Sequence, residues 1–141
     1  MYAEICGWGS YVPPMVMSND DISKIVDTSD EWITERTGIK ERRVADDSET
    51  SVDLAYNAAI DAIKKSGINK NDIGAIFLAT CTPERKFPST AVLLQNRLNI
   101  KDAFSFDINA ACTGFVYALD VAKKYIESGQ VKYALVVGTE K

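Results

Sequence analysis

From Gly67 onward the sequence alternates short apolar runs with longer amphipathic ones, joined by brief polar loops. Ala75–Thr80 is a continuous apolar run, the pattern of a strand buried on both faces. A loop with two prolines, Cys81–Pro88, leads to a helix capped by Ser89 that runs through Val92, Leu93 and Leu94 to Leu98. Ala103–Ile108 reads as the next strand. A helix over Thr113–Ser128 turns Phe115, Ala118, Leu119, Ala122 and Ile126 inward and stops at Gly129. Tyr133–Val137 follows as a strand. Strands separated by helical crossovers imply an α/β fold with a mostly parallel sheet, covered by helices on both faces.

Upstream the rhythm is looser. Ala3–Tyr11 is apolar with small residues and ends at Pro13-Pro14, which predicts a first strand running into a stop. Ser18 or Asn19 caps a short helix whose buried side is Ile22, Ile25 and Val26. Thr28-Ser-Asp-Glu31 has the form of a capping box; the helix it opens carries Trp32, Ile33 and Arg36 and ends at Gly38. Lys40–Glu49 is charged and aperiodic and predicts a loop. Thr50, with Asp53 three residues later, restarts a helix with an apolar stripe of Leu54, Ala55, Ala58, Ala59, Ala62 and Ile63 and a stop at Gly67.

Composition narrows what such a fold can do. A chain of 141 residues, 46% hydrophobic and 26% charged, is expected to form one compact globular unit rather than a disordered or collagen-like one. The net charge of −4 disfavours a nucleic-acid binder or a partner of anionic membranes. There is no histidine, so no Ser-His-Asp or Cys-His pair and no His-containing zinc site can be completed within the chain. The three cysteines, Cys6, Cys81 and Cys112, have no metal-ligand spacing. Neither a signal peptide nor a membrane-spanning run is read, and free thiols in a reducing cytoplasm are expected. A strand as apolar as Tyr133–Val137, so near Lys141, suggests truncation.

Four places carry candidate chemistry. Gly7-Trp-Gly9 follows an expected strand, but Val12 and Pro13-Pro14 stand where a dinucleotide fingerprint needs a third glycine and a helix. Cys112 stands in Asp107-Ile-Asn-Ala-Ala-Cys-Thr-Gly114, where a strand ends, small residues turn the chain and a helix begins. Unpaired amides and the helix dipole at such a position favour a thiolate and offer part of an oxyanion hole; the other reading is an inert packing thiol. Cys81 lies at another strand's carboxyl end with nothing evident to activate it, and Cys6 reads as packing. Trp32 and Arg36 lie one turn apart, a stacking platform beside a phosphate-seeking cation that Lys40, Arg42 and Arg43 would enlarge, or else an indole packed on the core near a solvated basic loop. Phe87, between Lys86 and Pro88, lines a pocket, reaches a partner subunit or tucks over the core.

Two long segments, Thr28-Ser-Asp-Glu-Trp-Ile-Thr-Glu-Arg-Thr-Gly38 and Asp107-Ile-Asn-Ala-Ala-Cys-Thr-Gly-Phe115, resemble the N-terminal half of β-ketoacyl-[acyl carrier protein] synthase III, a thiolase-fold condensing enzyme. The likeness runs from Tyr2 to Gly138. It implies that residues 1–141 form an N-terminal thiolase-like half-domain whose C-terminal half is absent. It further implies an acyltransferase that moves acetyl from coenzyme A to Cys112 and condenses it with malonyl-acyl carrier protein, with loss of carbon dioxide, at the start of fatty acid synthesis. Residues matching Trp32 stack on the coenzyme A adenine, those matching Arg36 meet its phosphates, and those matching Thr28 and Thr37 line the nucleotide end. The one matching Phe87 projects into the partner's acyl pocket. The resemblance implies a cytoplasmic homodimer with no prosthetic group, taking coenzyme A thioester as substrate. The family's catalytic His and Asn lie in its second half, so the chain alone is expected to fall short of full turnover. Thr113 and Glu84-Arg85-Lys86 are local departures from the pattern. Two other readings remain: a related condensing enzyme, of the hydroxymethylglutaryl coenzyme A synthase or polyketide starter kind, and a non-catalytic assembly subunit.

Overall fold

The computed structural model describes residues 2–141. They divide into two compact units, one of residues 2–11 and 50–141 and one of residues 12–49.

The smaller unit holds β1 (Met15–Ser18), α1 (Asn19–Ser23), α2 (Asp30–Thr37) and β2 (Glu41–Val44). The two strands pair antiparallel, with Met15 opposite Val44 and Ser18 opposite Glu41. This corrects the expectation of a loop over Lys40–Glu49. The charges that made the segment look aperiodic are what fasten it. Arg42 donates to the Met17 carbonyl at 3.2 Å and to Asn19 Oδ1 at 2.7 Å, and Arg43 donates to the Pro13 carbonyl at 3.2 Å. Asn19 is buried; its amide nitrogen reaches Asp30 Oδ1 and the Ile39 carbonyl, both at 2.7 Å. Ser18 caps α1 in a capping box with Asp21, while Ile25 and Val26 are exposed rather than buried. Ser29, not Thr28, caps α2, accepting from the Trp32 amide, and the helix stops at Gly38 with φ 72°.

The larger unit contains α3 (Ser51–Ser66), β3 (Ile73–Ala79), α4 (Thr90–Leu98), β4 (Phe104–Ile108), α5 (Gly114–Glu127) and β5 (Tyr133–Gly138). The strands form one parallel sheet in the order β4-β3-β5, with Ala79 opposite both Ile108 and Gly138. Because side chains alternate along β3, Ile76 and Leu78 face Ala55, Ala59 and Leu94 of α3 and α4, and Ala75 and Phe77 face Ala118 and Ala122 of α5. The parallel sheet covered on both faces is therefore as expected. Thr50 and Asp53 form a full capping box at the start of α3.

Residues 3–11 form no strand. They join neither sheet, and Tyr2, Ile5 and Trp8 are exposed. Gly7 and Gly9 instead approach α3: a Cβ on Gly9 would stand 2.4 Å from the Ala58 carbonyl oxygen, and one on Gly7 2.6 Å from Ser66 Cβ. Cys6 is exposed, not packed. Phe115, expected inward, is 45% exposed at the start of α5. No helix among the described residues is long and apolar enough to cross a membrane.

Candidate functional site

The carboxyl ends of three parallel strands meet in the larger unit, where ligands of open α/β sheets bind. Strand β4 ends at Ile108, and a single turn of 3-10 helix over Ala111–Thr113 carries the chain into α5. Ala111 has φ 47°, a left-handed conformation that an alanine holds at a cost of about 1–2 kcal/mol. Cys112 follows it directly and is exposed, so the reading of this thiol as core packing does not hold.

Helix α5 differs from the other α-helices in its cap. Ser18, Ser29, Thr50 and Ser89 each accept a backbone N–H through a side-chain oxygen, whereas Thr113 makes no such bond. Its hydroxyl turns back to the Ala110 carbonyl at 2.8 Å, and its amide meets the same oxygen at 3.2 Å. Thr113 thus tightens the turn and leaves the positive end of α5 without a side-chain cap. Gly114 lets that turn approach the sheet: a Cβ there would meet Ala79 Cβ at 3.2 Å. Small residues around Cys112 leave an approach for a carbonyl carbon.

The sequence singles out Cys81 and Glu84 but neither Glu140 nor the long-range bonds that hold this corner together. Cys81 donates its thiol to Asn109 Oδ1 at 3.2 Å. Glu140, just beyond β5, accepts from the Cys81 amide at 2.8 Å and from the Thr82 hydroxyl at 2.5 Å. Asp107 accepts from the Thr90 and Ala91 amides at 2.9 and 2.7 Å, giving α4 a carboxylate at its N-terminus. Glu84 accepts from the amide and, at 2.8 Å, the hydroxyl of Ser51. Burial pushes the Glu84 carboxyl up, but these two hydrogen bonds, together with one from its own amide and the charge of Lys141, hold it below the usual range. The loop between β3 and α4 is thereby fastened at both ends and in its middle, and Phe87 projects from it with 89% of its surface exposed. That exposure excludes the reading of Phe87 as an aromatic tucked over the core.

In the smaller unit a groove of about 660 Å³ is lined by Ile22, Val26, Asp27, Thr28, Ser29, Trp32 and Ile33. Trp32 is 55% exposed, and the Arg36 guanidinium carbon lies 5.1 Å from its ring centroid, a cation–π pair that aligns the indole. Thr28 Oγ1 is buried without a hydrogen-bond partner among the described residues. Thr37 is otherwise engaged. Its hydroxyl donates to the Ile33 carbonyl at 2.7 Å and accepts from the Ile39 amide at 3.1 Å, so it closes the end of α2. Arg42 and Arg43 are likewise spent partly on β1 and its flank, leaving Arg36 and Lys40 as the exposed cations of α2 and the turn after it.

The sequence model of the family 3-oxoacyl-[acyl-carrier-protein (ACP)] synthase III matches residues 106–141. A beta-ketoacyl-[acyl-carrier-protein] synthase III of Xanthomonas campestris pv. campestris is 54% identical over 140 residues, which cover 99% of this chain and 43% of that protein. The crystal structure of 3-oxoacyl-[acyl-carrier-protein] synthase III from Aquifex aeolicus superposes with a TM-score of 0.93 at 51% identity, over 96% of this chain and 44% of that one. The priming beta-ketosynthase of the R1128 polyketide pathway gives a TM-score of 0.90 at 33% identity, over 92% of this chain and 39% of that one. The chain thus spans less than half the length of the relatives it matches.

Proposed function

The chain belongs to the 3-oxoacyl-[acyl-carrier-protein] synthase III family, and on that premise we propose that Cys112 is the acyl acceptor of a condensing acyltransferase of fatty acid synthesis. The Cys112 thiolate attacks the carbonyl carbon of acetyl coenzyme A. A tetrahedral oxyanion forms, the bond to the coenzyme A sulfur breaks, and coenzyme A departs as a thiolate that takes up a proton. Malonyl-acyl carrier protein then loses carbon dioxide, and its carbanion displaces Cys112 from the thioester to give the β-ketoacyl product. No histidine stands among the 141 residues, so they offer the acceptor step no imidazole.

One observation carries the reading: an exposed thiol placed directly after a left-handed alanine and ahead of a helix with no side-chain cap. Together they place an exposed nucleophile beside the positive end of a helix that no side chain caps. The Trp32–Arg36 platform and the unpartnered Thr28 hydroxyl suit a purine ring and a phosphate, the chemistry of a coenzyme A thioester bound as substrate. We place the reaction in the cytoplasm and in a homodimer, with Phe87 offered to the partner's acyl site. The likeness to a polyketide priming ketosynthase favours, as a second reading, the same acyl transfer with a starter unit other than acetyl.

Intact-protein mass spectrometry after incubation with acetyl coenzyme A tests this. An acetyl adduct that maps to Cys112 and vanishes in Cys112→Ala is expected. Acetylation that persists in Cys112→Ala overturns the assignment, and a set of acyl coenzyme A donors separates the two starter-unit readings.

A further inference from the structure

The carboxyl ends of all three strands are cross-linked by side chains, and the last link stands three residues before the nucleophile. Glu140, after β5, holds the segment after β3 through the Cys81 amide at 2.8 Å and the Thr82 hydroxyl at 2.5 Å. The Thr80 hydroxyl reaches the same carboxylate at 3.5 Å. Cys81 then spans to the segment after β4 through its thiol, 3.2 Å from Asn109 Oδ1. The backbone supports the same ladder, with the Thr80 amide on the Ile108 carbonyl and the Thr139 amide on the Ala79 carbonyl. Beyond Ile108 the chain leaves the strand. Ala110 has φ −149° and ψ 34°, and Ala111 has φ 47°.

We infer that Glu140, Cys81 and Asn109 form a positioning relay that holds the turn before Cys112 in its strained conformation. The inference rests on the reading of Cys112 as the acyl acceptor. A left-handed alanine relaxes unless neighbouring contacts over-determine it. On the downstream side Thr113 grips Ala110. Upstream, the Asn109 side chain is held by Cys81, and Cys81 by Glu140. Cutting any link frees the upstream end of the turn and lets the sulfur swing off the start of α5. The role of Cys81 is as a donor. A hydroxyl at that position keeps the donor and a methyl group does not.

Two readouts test the relay, using Cys81→Ala, Asn109→Ala and Glu140→Ala, with Cys81→Ser and Glu140→Gln as conservative partners. The first is acetyl transfer to Cys112 from acetyl coenzyme A at varied concentration. A misplaced nucleophile slows transfer by about tenfold to a hundredfold and leaves the concentration for half-maximal rate unchanged. Cys81→Ser and Glu140→Gln retain most of the rate. The second readout needs no acyl transfer: site-resolved alkylation by iodoacetamide, with Cys6 as the internal reference. Cys112 alkylation changes by severalfold relative to Cys6 in the alanine variants and returns toward the original in the conservative ones. Circular dichroism verifies that each variant is folded. A Cys112-to-Cys6 alkylation ratio within twofold of the original in every folded alanine variant overturns the relay, whatever the acyl assay gives. A changed ratio in a chain that never acylates Cys112 leaves the relay standing and removes the acyl-acceptor reading instead.

Discussion

Gly9 approaches Ala58 so closely that a Cβ on Gly9 would stand 2.4 Å from the Ala58 carbonyl oxygen and equally near the Ala62 amide nitrogen. Both clashing atoms are helix backbone, which cannot rotate aside as a side chain can. The two glycines that mimic a nucleotide fingerprint are in fact contact points for α3.

Gly9→Ala therefore destabilises the larger unit. Overpacking of this kind costs about 1–3 kcal/mol, and the backbone contact puts Gly9 at the upper end. Thermal unfolding followed by circular dichroism is expected to show a midpoint several degrees lower, with Ser10→Ala, at an exposed neighbouring position, unchanged. An unchanged midpoint in Gly9→Ala means residues 3–11 do not hold this path in solution.

Ala111 offers a prediction of opposite character. Glycine relieves a left-handed strain of about 1–2 kcal/mol but frees the unfolded chain by about 0.4–1 kcal/mol. Ala111→Gly is thus expected to leave urea-unfolding stability within about 1 kcal/mol of the original, while acetyl transfer to Cys112 slows because the turn is no longer fixed. Ala111→Val, a β-branched residue at positive φ, is expected to lose about 1–3 kcal/mol. Equal stability of the glycine and valine variants rules out the left-handed conformation.

What could be read ahead of the structure was local. The Thr50/Asp53 cap, the stops at Gly38 and Gly67, and the alternation of β3, α4, β4, α5 and β5 each rest on residues a few positions apart. What escaped was long-range. Glu41–Val44 looks like a charged loop until Arg42 is seen to reach back to Met17 and Asn19. Residues 3–11 have the composition of a strand but join no sheet, and close contact of Gly7 and Gly9 with α3 replaces strand pairing. Cys81, Asn109 and Glu140 are unremarkable singly. Only the register that sets Ala79 beside Ile108 and Gly138 brings them to one corner. A polar residue one or two places past each strand's end was the signal available.

The Thr50 cap also predicts a pH dependence. The Thr50 hydroxyl bonded to Asp53 is the main cause holding that carboxyl down to about 2; partial burial opposes it, and the Thr50 amide and Arg97 add to the lowering. With the folded value below the ordinary 3.8, the unfolded chain binds more protons between the two. The stabilisation is complete above that ordinary value and is lost as pH falls through the folded one. Asp53→Asn keeps the shape of the cap without its charge. Across that interval its stability is expected to decline less steeply with acid than that of the original chain, measured by urea unfolding at a series of pH values. Parallel curves for the two proteins remove Asp53 as a source of acid sensitivity.

Thr28 and Trp32 line the same groove but respond differently to substitution. Trp32 is exposed and braced by Arg36, so Trp32→Ala removes a stacking surface worth about 1–3 kcal/mol to a bound base with little effect on folding. Thr28 Oγ1 is buried and unpartnered, a state that costs about 1–3 kcal/mol while no ligand fills it. Thr28→Val, nearly the same shape without the hydroxyl, is thus expected to raise the unfolding midpoint of the free protein. If the hydroxyl is kept for coenzyme A, the same change weakens coenzyme A binding in calorimetry, as Trp32→Ala does. Stability and affinity then move in opposite directions for one substitution, a signature that packing alone does not produce. Thr28→Val that stabilises the fold and binds coenzyme A as tightly as the original removes Thr28 from the nucleotide site and leaves Trp32 and Arg36 to define it.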